Sequence, residues 1–336
     1  MKVERITSYD RFVAVKREWN TLLSNSGQNC PFLAHQWFDV WWQSFGQDSV
    51  LEILFFRDES GSLFGIAPMM IKNHLLQFIA SHEVTDYCDF ISYVDRRDEF
   101  YEHLWDHFHT SSSKHFPMEF INIPASSPTL SSLSGLAAKD YWEHESYESE
   151  VAPVLILPAS HDEFLQNLGR KNRHELRRKI RKFESLGNVH IERVVEIEKL
   201  GPAIEEFVVL HKASSLAKQE FWRKQGMNEF FYQLVTQFAA ENWAELLMLY
   251  VEDRKIAVLL SFSYGDTVYF YNIAYDKKYS AYSPGFTLFA HSIKQAIARG
   301  KKVADFLRGR EKYKYFFGAK ESKIYSLKLM PTEQKR

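Results

Sequence analysis

The pattern of apolar and polar residues between positions 268 and 320 predicts a strand, a helix and a second strand. The run VYFYNIAYD is rich in β-branched and aromatic residues, which is typical of a strand buried on both faces. The helix predicted after Ser283-Pro284-Gly285 has one apolar face and ends at Gly300. That face consists of Leu288, Phe289, Ile293, Ala296 and Ile297. In such a unit, free N–H groups at the start of the helix face the crevice at the strand ends. The segment therefore predicts a phosphate or diphosphate site at that helix start.

The pattern over residues 1–150 predicts a separate domain. A short strand is followed by two helices with heavy aromatic stripes, which most often mark a core. Three strand-like runs then predict an antiparallel meander, and they span 50–57, 63–72 and 75–80. A further helix and strand complete the domain.

Residues 151–336 are predicted to form the second domain. Ser160 and Glu163 make a capping box, and the helix that they start is predicted to run to Leu186. The remaining elements are predicted as a strand at 189–195, helices at 204–216 and 229–240, strands at 245–251, 255–263 and 267–274, the helix and strand described first, and a last strand at 324–330.

Composition limits the class of protein. The 336 residues suffice for about two domains, and 45% hydrophobic with 25% charged residues is a globular composition. The net charge of −1 gives no global attraction to DNA or to a membrane surface. Cys30 and Cys88 lack any metal-ligand spacing, so we expect no metal site and a reducing compartment. No signal peptide and no apolar run of about 20 residues is evident. We therefore expect a cytoplasmic protein without a membrane span.

The second half resembles one branch of the GNAT acyltransferases. The residues that carry the resemblance are the segments LGRKNRHELRRKIRKFESLG (168–187), KIAVLLS (255–261), Ser283-Pro284-Gly285 and DFLRG (305–309), the pair Tyr313-Lys314 and the pair Phe317-Gly318. They are similar to the BioF2-like, CelD/BcsL-type acetyltransferases, which are relatives of the FemAB peptidyl transferases. PFLAHQWFDVWWQSFG in the first half is similar to the same family. The resemblance implies an α+β fold of two tandem GNAT-like domains, each with a mixed, mostly antiparallel sheet flanked by helices.

The same resemblance implies acyl-CoA, most simply acetyl-CoA, as the donor substrate. The residues that it places at the donor are Ser283, Pro284, Gly285, Phe286 and Thr287. An Arg or Gln followed by two glycines, which GNAT enzymes use for the diphosphate, does not occur here. A plain loop-to-helix turn is the alternative reading of this segment.

The helix predicted over 160–186 has a strongly basic second half, with eight Lys or Arg between 170 and 182 against the single Glu175. A solvated charged face is the ordinary reading of such a run. The sharper reading is a surface for an anionic substrate, with Arg173, Arg177 and Arg181 as its contacts. No aromatic residue is interleaved for stacking on nucleic-acid bases.

Candidate catalytic residues follow from type and position. His211 lies on a helix beside an apolar face, where it is either a general base or, more commonly, a packed core histidine. Asp305 and Glu311 flank the end of the last buried strand, where a carboxylate could accept a proton from the nucleophile. Lys314 resembles the FemAB-type lysine that stabilises a developing oxyanion. Tyr313 could protonate a leaving thiolate, as in several GNAT enzymes.

Three functions remain open from the sequence. The first is an N- or O-acyltransferase that moves an acyl group from acyl-CoA to a sugar, a polysaccharide precursor or another small acceptor, by direct attack without a metal. The second is a FemAB-like transferase that takes an amino acid from charged tRNA. The third is a non-catalytic, GNAT-shaped accessory protein of a polysaccharide-synthesis complex.

Overall fold

The computed structural model describes residues 2–79, 83–110 and 115–331. The chain forms two units, the first from Met1–Glu150 with Ser322–Arg336 and the second from Val151–Glu321. Among the described residues, none of the helices combines the length and apolar character that crossing a bilayer requires.

The first unit contains most of its elements before residue 150. Its strands are β1 (Lys2–Ile6), β2 (Val50–Arg57), β3 (Leu63–Lys72), β4 (Leu75–Phe78), β5 (Ile91–Ser92), β6 (Met118–Pro124) and the first part of β7 (Glu143–Ile156). Its helices are α1 (Tyr9–Ala14), α2 (Lys16–Ser24), α3 (His35–Phe45), α4 (Arg97–Thr110) and α5 (Thr129–Lys139). Residue 80, at which the third meander strand is predicted to end, lies outside the described residues.

The second unit continues from the last part of β7. Its helices are α6 (His161–Asn167), α7 (Gly169–Glu184), α8 (Ile197–Ser214), α9 (Leu216–Arg223), α10 (Met227–Ala240), α11 (Pro284–Ala298) and α12 (Lys312–Phe316). Its strands are β8 (Val189–Val194), β9 (Ala244–Val251), β10 (Arg254–Tyr264), β11 (Thr267–Tyr275) and β12 (Val303–Asp305). The last strand, β13 (Lys320–Met330), returns the chain to the first unit.

The sheet of the first unit has the strand order β1-β2-β3-β4-β6-β13-β7, and β5 pairs with β3. The pair β4–β6 is parallel, whereas β1–β2, β2–β3, β3–β4 and β6–β13 are antiparallel. Its core is strongly aromatic, with Phe56, Phe90, Phe100 and Phe120 fully buried.

The position of β13 corrects the predicted second domain of 151–336. Leu327 pairs with Phe120 and Leu329 with Met118 of β6, and both leucines are fully buried in the core of the first unit. The alternating pattern at 324–330 predicts a strand correctly, but such a pattern does not specify which strand pairs with it. Residues 332–336 lie outside the described residues.

The sheet of the second unit has the order β7-β12-β11-β10-β9-β8. Only β11–β12 is parallel among these pairs. Helices α6, α7 and α11 contribute to one apolar core with the sheet. A second set of helices, α8, α9 and α10, surrounds His211 and Trp222. Each unit therefore has a mixed, mostly antiparallel sheet flanked by helices, which confirms the predicted α+β class.

Two helix predictions are wrong in detail. Ser160 caps α6 as predicted, and its Oγ accepts from the Glu163 N–H at 3.1 Å. The helix then breaks, because Gly169 takes a left-handed conformation (φ 67°) and starts α7 as a separate helix. Residues 216–223 form α9, a short helix that the apolar pattern did not predict.

The strands β11 and β12 separate soon after they meet. They pair over three positions only, from Thr267↔Val303 to Tyr269↔Asp305. Beyond Tyr269, β11 continues to Tyr275, while β12 has ended. The β10–β11 register shifts at Leu260/Ser261 and leaves Tyr271 without an opposite residue. A shift of this kind bends a strand, so the carboxyl end of β11 is exposed on its β12 side.

Candidate functional site

The start of α11 lies just after the separated part of β11. Ser283 precedes the helix in a left-handed conformation (φ 55°), and its carbonyl accepts from the N–H groups of Phe286 and Thr287 at 3.1 and 3.3 Å. The Gly285 N–H has no hydrogen-bond partner among the described residues. A Cβ at Gly285 would lie 2.9 Å from Ile273 Cδ1 of β11, so glycine permits this close approach of helix and strand. The predicted row of free amides is therefore reduced to one.

Two lysines of α7 reach the start of α11. Lys179 Nζ donates to Ser283 Oγ at 3.0 Å, and Lys182 Nζ donates to the Ala281 carbonyl at 2.8 Å. The amino end of a helix carries partial positive charge, where an ammonium group is unfavourable and an anion is favourable. Glu175 lies 3.9 Å from Lys179, but both its oxygens already accept from Arg178 at 2.7 Å. The start of α11 is thus a concentration of positive charge with little local compensation.

The three arginines predicted to bind substrate lie elsewhere on α7. Arg173 is half-buried, and its Nη1 donates to the Leu165 carbonyl at 3.4 Å. Arg177 and Arg181 are exposed. The structure therefore brings Lys179 and Lys182 to the start of α11, whereas the sequence analysis named only the arginines. Helical spacing shows which residues share a face of α7 but not which face turns to α11.

His211 of α8 is buried, with 4% of its surface exposed. Trp222 Nε1 donates to His211 Nδ1 at 2.8 Å. Because an indole N–H can only donate, Nδ1 must be unprotonated and the proton lies on Nε2. Burial, together with the charge of Lys218, lowers the pKa of His211 to about 3, against a smaller opposing effect of Asn272. The general-base role predicted for His211 therefore has no free lone pair, and its buried Nε2–H has no hydrogen-bond partner among the described residues.

Lys218 of α9 is a site residue that the sequence analysis missed. Ser215 caps α9 by accepting from the Lys218 N–H at 3.1 Å, and the Lys218 Nζ donates to the Ile273 carbonyl of β11 at 3.3 Å. Burial lowers the pKa of Lys218, and the negative charge of Glu311 partly opposes that shift. A half-buried lysine with a lowered pKa can exchange a proton more readily near neutral pH than a solvated one.

Lys314 of α12 is engaged by the turn that precedes it. Its ammonium donates to the carbonyls of Leu307, Arg308 and Gly309 at 3.0, 2.6 and 3.2 Å, and Glu311 lies 2.8 Å away. An ammonium group has only three donors. In this arrangement Lys314 stabilises the turn and has no donor left for an oxyanion.

The remaining candidates have different surroundings. Asp305 is buried, and its Oδ1 accepts from the Leu307 N–H at 2.8 Å, which supports a turn at a left-handed residue. Tyr313 stacks on Phe289 with ring centroids 4.9 Å apart. Burial and the neighbouring Glu311 raise the pKa of Tyr313 well above its ordinary value, so the phenol stays protonated and can act as an acid. The Glu311 side chain is 56% exposed.

One cluster therefore gathers near the carboxyl end of β11. Glu311 acts electrostatically on Lys218 and Tyr313, and Lys218 acts on His211. Asp305 serves its own turn instead. Within the described ranges, no group of three His, Cys, Asp or Glu side chains could hold a metal ion.

Comparison with known families agrees with this architecture. Residues 170–315 match the family model described as an acetyltransferase (GNAT) domain. The second unit carries a GNAT domain. No curated protein is similar enough in sequence to match this chain.

Solved structures share the fold over nearly the whole chain. FemX has a TM-score of 0.64 at 12% identity and covers 97% of both chains. L-PGS from Bacillus licheniformis has a TM-score of 0.58 at 11% identity and covers 95% of this chain and 92% of its own. A tandem GNAT protein from the clavulanic acid biosynthesis pathway has a TM-score of 0.55 at 9% identity and covers 99% and 100%. The GNAT/FemAB-like resemblance is confirmed as a fold, while the BioF2-like, CelD/BcsL subtype stays a prediction.

Proposed function

We propose that this GNAT protein transfers an acyl group from acyl-CoA to an amine or hydroxyl by direct attack in a ternary complex. The observation that carries the proposal is the placement of Lys179 and Lys182 at the start of α11. These ammonium groups would supply the contacts to the donor's diphosphate that the missing glycine loop supplies in other GNAT enzymes. The separation of β11 from β12 leaves a strand edge on which the rest of the donor can lie.

The cluster beside β11 can carry the proton transfers. Lys218 in its neutral form would accept the proton of the attacking amine or hydroxyl, and its lowered pKa favours that form. Tyr313 would give its proton to the leaving sulfur, because its raised pKa keeps the phenol protonated. The buried Nε2–H of His211 would orient an oxygen acceptor on the substrate.

Calorimetry with acetyl-CoA tests the donor. We expect Lys179→Met with Lys182→Met to weaken binding by about 10- to 100-fold, since each lost charge-assisted contact is worth about 1.5–3 kcal/mol before other interactions compensate. Lys171→Met on the same helix is the matched control and should leave binding unchanged. Equal affinity of the double variant and the wild type would refute the diphosphate assignment.

Release of CoA thiol with a panel of amino sugars and sugar alcohols tests the reaction. The BioF2-like resemblance proposes a sugar or polysaccharide precursor as the acceptor. We expect Lys218→Met to lower kcat about 100-fold at unchanged donor affinity, within the usual range for general base catalysis. Lys212→Met on α8 is the control. A protein that binds acetyl-CoA but releases no thiol with any acceptor would support the accessory role in polysaccharide synthesis.

Charged tRNA is the second candidate donor, because a specific surface favours it. Arg170, Lys171, Arg177 and Arg181 are exposed on α7, and none forms an ion pair with any described residue. Such a row suits a polyanion, and the fold is shared with FemX and L-PGS. Binding of aminoacyl-tRNA that weakens steeply with salt and with Arg177→Ala plus Arg181→Ala, alongside no heat from acetyl-CoA, would favour aminoacyl transfer.

A further inference from the structure

A cavity of about 480 Å³ lies in the second unit, between helices α6, α7 and α11 and the strands β8 and β9. Most of its lining is apolar. These apolar residues are Leu165, Leu176, Ile180, Phe183, Val189, Ile191, Leu249 and Ala290, and all are buried or half-buried. The volume falls within the range of about 300–1,000 Å³ that is usual for small-molecule sites. Neither Lys218, His211, Tyr313 nor Glu311 lines it.

The polar part of the lining has an excess of positive charge. Arg177 and Lys294 are fixed cations, whereas Glu184 is the single carboxylate among the lining residues. All three are exposed, so they lie on the solvent side of the cavity. Two half-buried histidines, His161 and His291, stand with them. Burial, and next to it the charge of Lys294, lowers the pKa of both, which places Lys294 near the two rings.

Thr287 contributes a further polar group. Its Oγ1 is buried and has no hydrogen-bond partner among the described residues. A buried hydroxyl without a partner is uncommon in folded proteins and calls for an explanation. A ligand oxygen in the cavity would satisfy it.

We propose that this cavity binds an anionic amphiphile, with a hydrocarbon chain among the apolar side chains and a carboxylate or phosphate head held by Arg177 and Lys294. The apolar walls favour a chain over a sugar or a free anion, because burial of hydrocarbon is the main gain that they offer. The cationic rim favours an acidic head over an alcohol or an amine. The proposal goes beyond acyl transfer and does not depend on the donor.

Calorimetry below the critical micelle concentration tests the ligand class with four probes. We expect decyl phosphate and decanoate to bind at least tenfold more tightly than decanol, and inorganic phosphate to give no saturable heat. Shortening the chain by two methylenes should weaken binding about tenfold, in line with the transfer energy of a methylene group. The tighter of the two acids identifies the head group. Equal affinity for decanol and decyl phosphate, or no effect of chain length, overturns the proposal.

Matched variants locate the site. Ile180→Trp fills the cavity and should weaken decyl phosphate at least tenfold. Val208→Trp makes the same change in the 290 Å³ cavity between α8 and α10, and should have no effect. Lys294→Gln should weaken decyl phosphate severalfold and leave decanol unchanged, and this exposed substitution decides the matter if circular dichroism shows that Ile180→Trp does not fold. Unchanged binding by folded Ile180→Trp or by Lys294→Gln places the ligand elsewhere and overturns the assignment.

Discussion

The indole N–H of Trp222 determines the protonation state of His211. It occupies the Nδ1 lone pair at 2.8 Å, while burial lowers the pKa of the ring to about 3. The unfolded chain binds this proton with an ordinary pKa of about 6.5. Stability from the neutral ring is therefore complete above pH 6.5 and is lost as the pH falls towards 3.

Nitrogen-15 NMR measures this tautomer directly. We expect His211 to show a protonated Nε2 and an unprotonated Nδ1 from pH 8 to about pH 4, because its pKa is about 3. Trp222→Phe should release Nδ1 and allow both neutral tautomers to exchange. A titration of His211 near pH 6 in the wild type would contradict the assignment.

Two glycines should respond in opposite directions to alanine. A Cβ at Gly65 of β3 would collide with the Phe100 ring in the aromatic core, so Gly65→Ala should cost about 1–3 kcal/mol of unfolding free energy through overpacking. Gly135 is exposed on α5 with open space around it, so Gly135→Ala should gain up to about 1 kcal/mol from helix propensity. Urea unfolding measures both, and a neutral Gly65→Ala would show that Phe100 moves aside freely.

Residue type predicts candidate chemistry at this scale, but neighbours decide its use. Lys314 and His211 are the residue types that an acyltransferase site requires. Their hydrogen-bonding groups are consumed by the turn at 307–309 and by Trp222, and neither contact follows from a periodic pattern. Lys218 was missed because it belongs to α9, which is too short to give a clear apolar period.

At the scale of elements, Glu245 connects three of them. It is a buried residue of β9, with Arg193 of β8 at 2.9 Å and Arg299, which follows α11, at 2.7 Å. Burial alone would raise the pKa of this carboxyl, but the hydrogen bonds and charges of Arg299 and Arg193 outweigh burial and hold it below its ordinary value. Its stabilisation is therefore complete above the unfolded pKa of about 4.3 and is lost as the pH falls through the lower folded value.

Urea unfolding at pH 7, 5 and 3.5 checks this connection. Arg299→Ala should lower the unfolding free energy by about 2 kcal/mol at pH 7, since it removes a charge-assisted contact from a buried carboxylate. Glu245→Gln should make stability less sensitive to acid between pH 5 and 3.5 than in the wild type. An unchanged acid dependence in Glu245→Gln would show that other carboxylates control it.

The sequence predicts most elements because their apolar periods are clear, as for β9, β10, β11 and α11. The break at Gly169 was not predicted, because the polar pattern continues through it and only the left-handed backbone ends α6. The contacts of Lys179 and Lys182 with the start of α11 depend on how α7 packs, which a single helix does not specify.

At the scale of the whole molecule, β13 completes the first unit from the far end of the chain. Leu327→Ala should lower the stability of that unit by about 3 kcal/mol, because the leucine is fully buried against the β6 side of its core. The exposed neighbour Lys328→Ala is the control and should change it by less than about 0.5 kcal/mol. Limited proteolysis within residues 2–150 reports the effect, and equal digestion of both variants would argue against a structural role for β13.

The return of β13 has a consequence for biosynthesis. A ribosome delivers residues 2–150 long before it delivers 322–330, so the nascent first unit lacks one interior strand while the second unit is being made. The exposed edge of β6 and its unfilled leucine positions would then be a natural substrate for chaperones. Slow or interrupted translation across the second unit should lower the yield of native protein more than the same delay placed before residue 150.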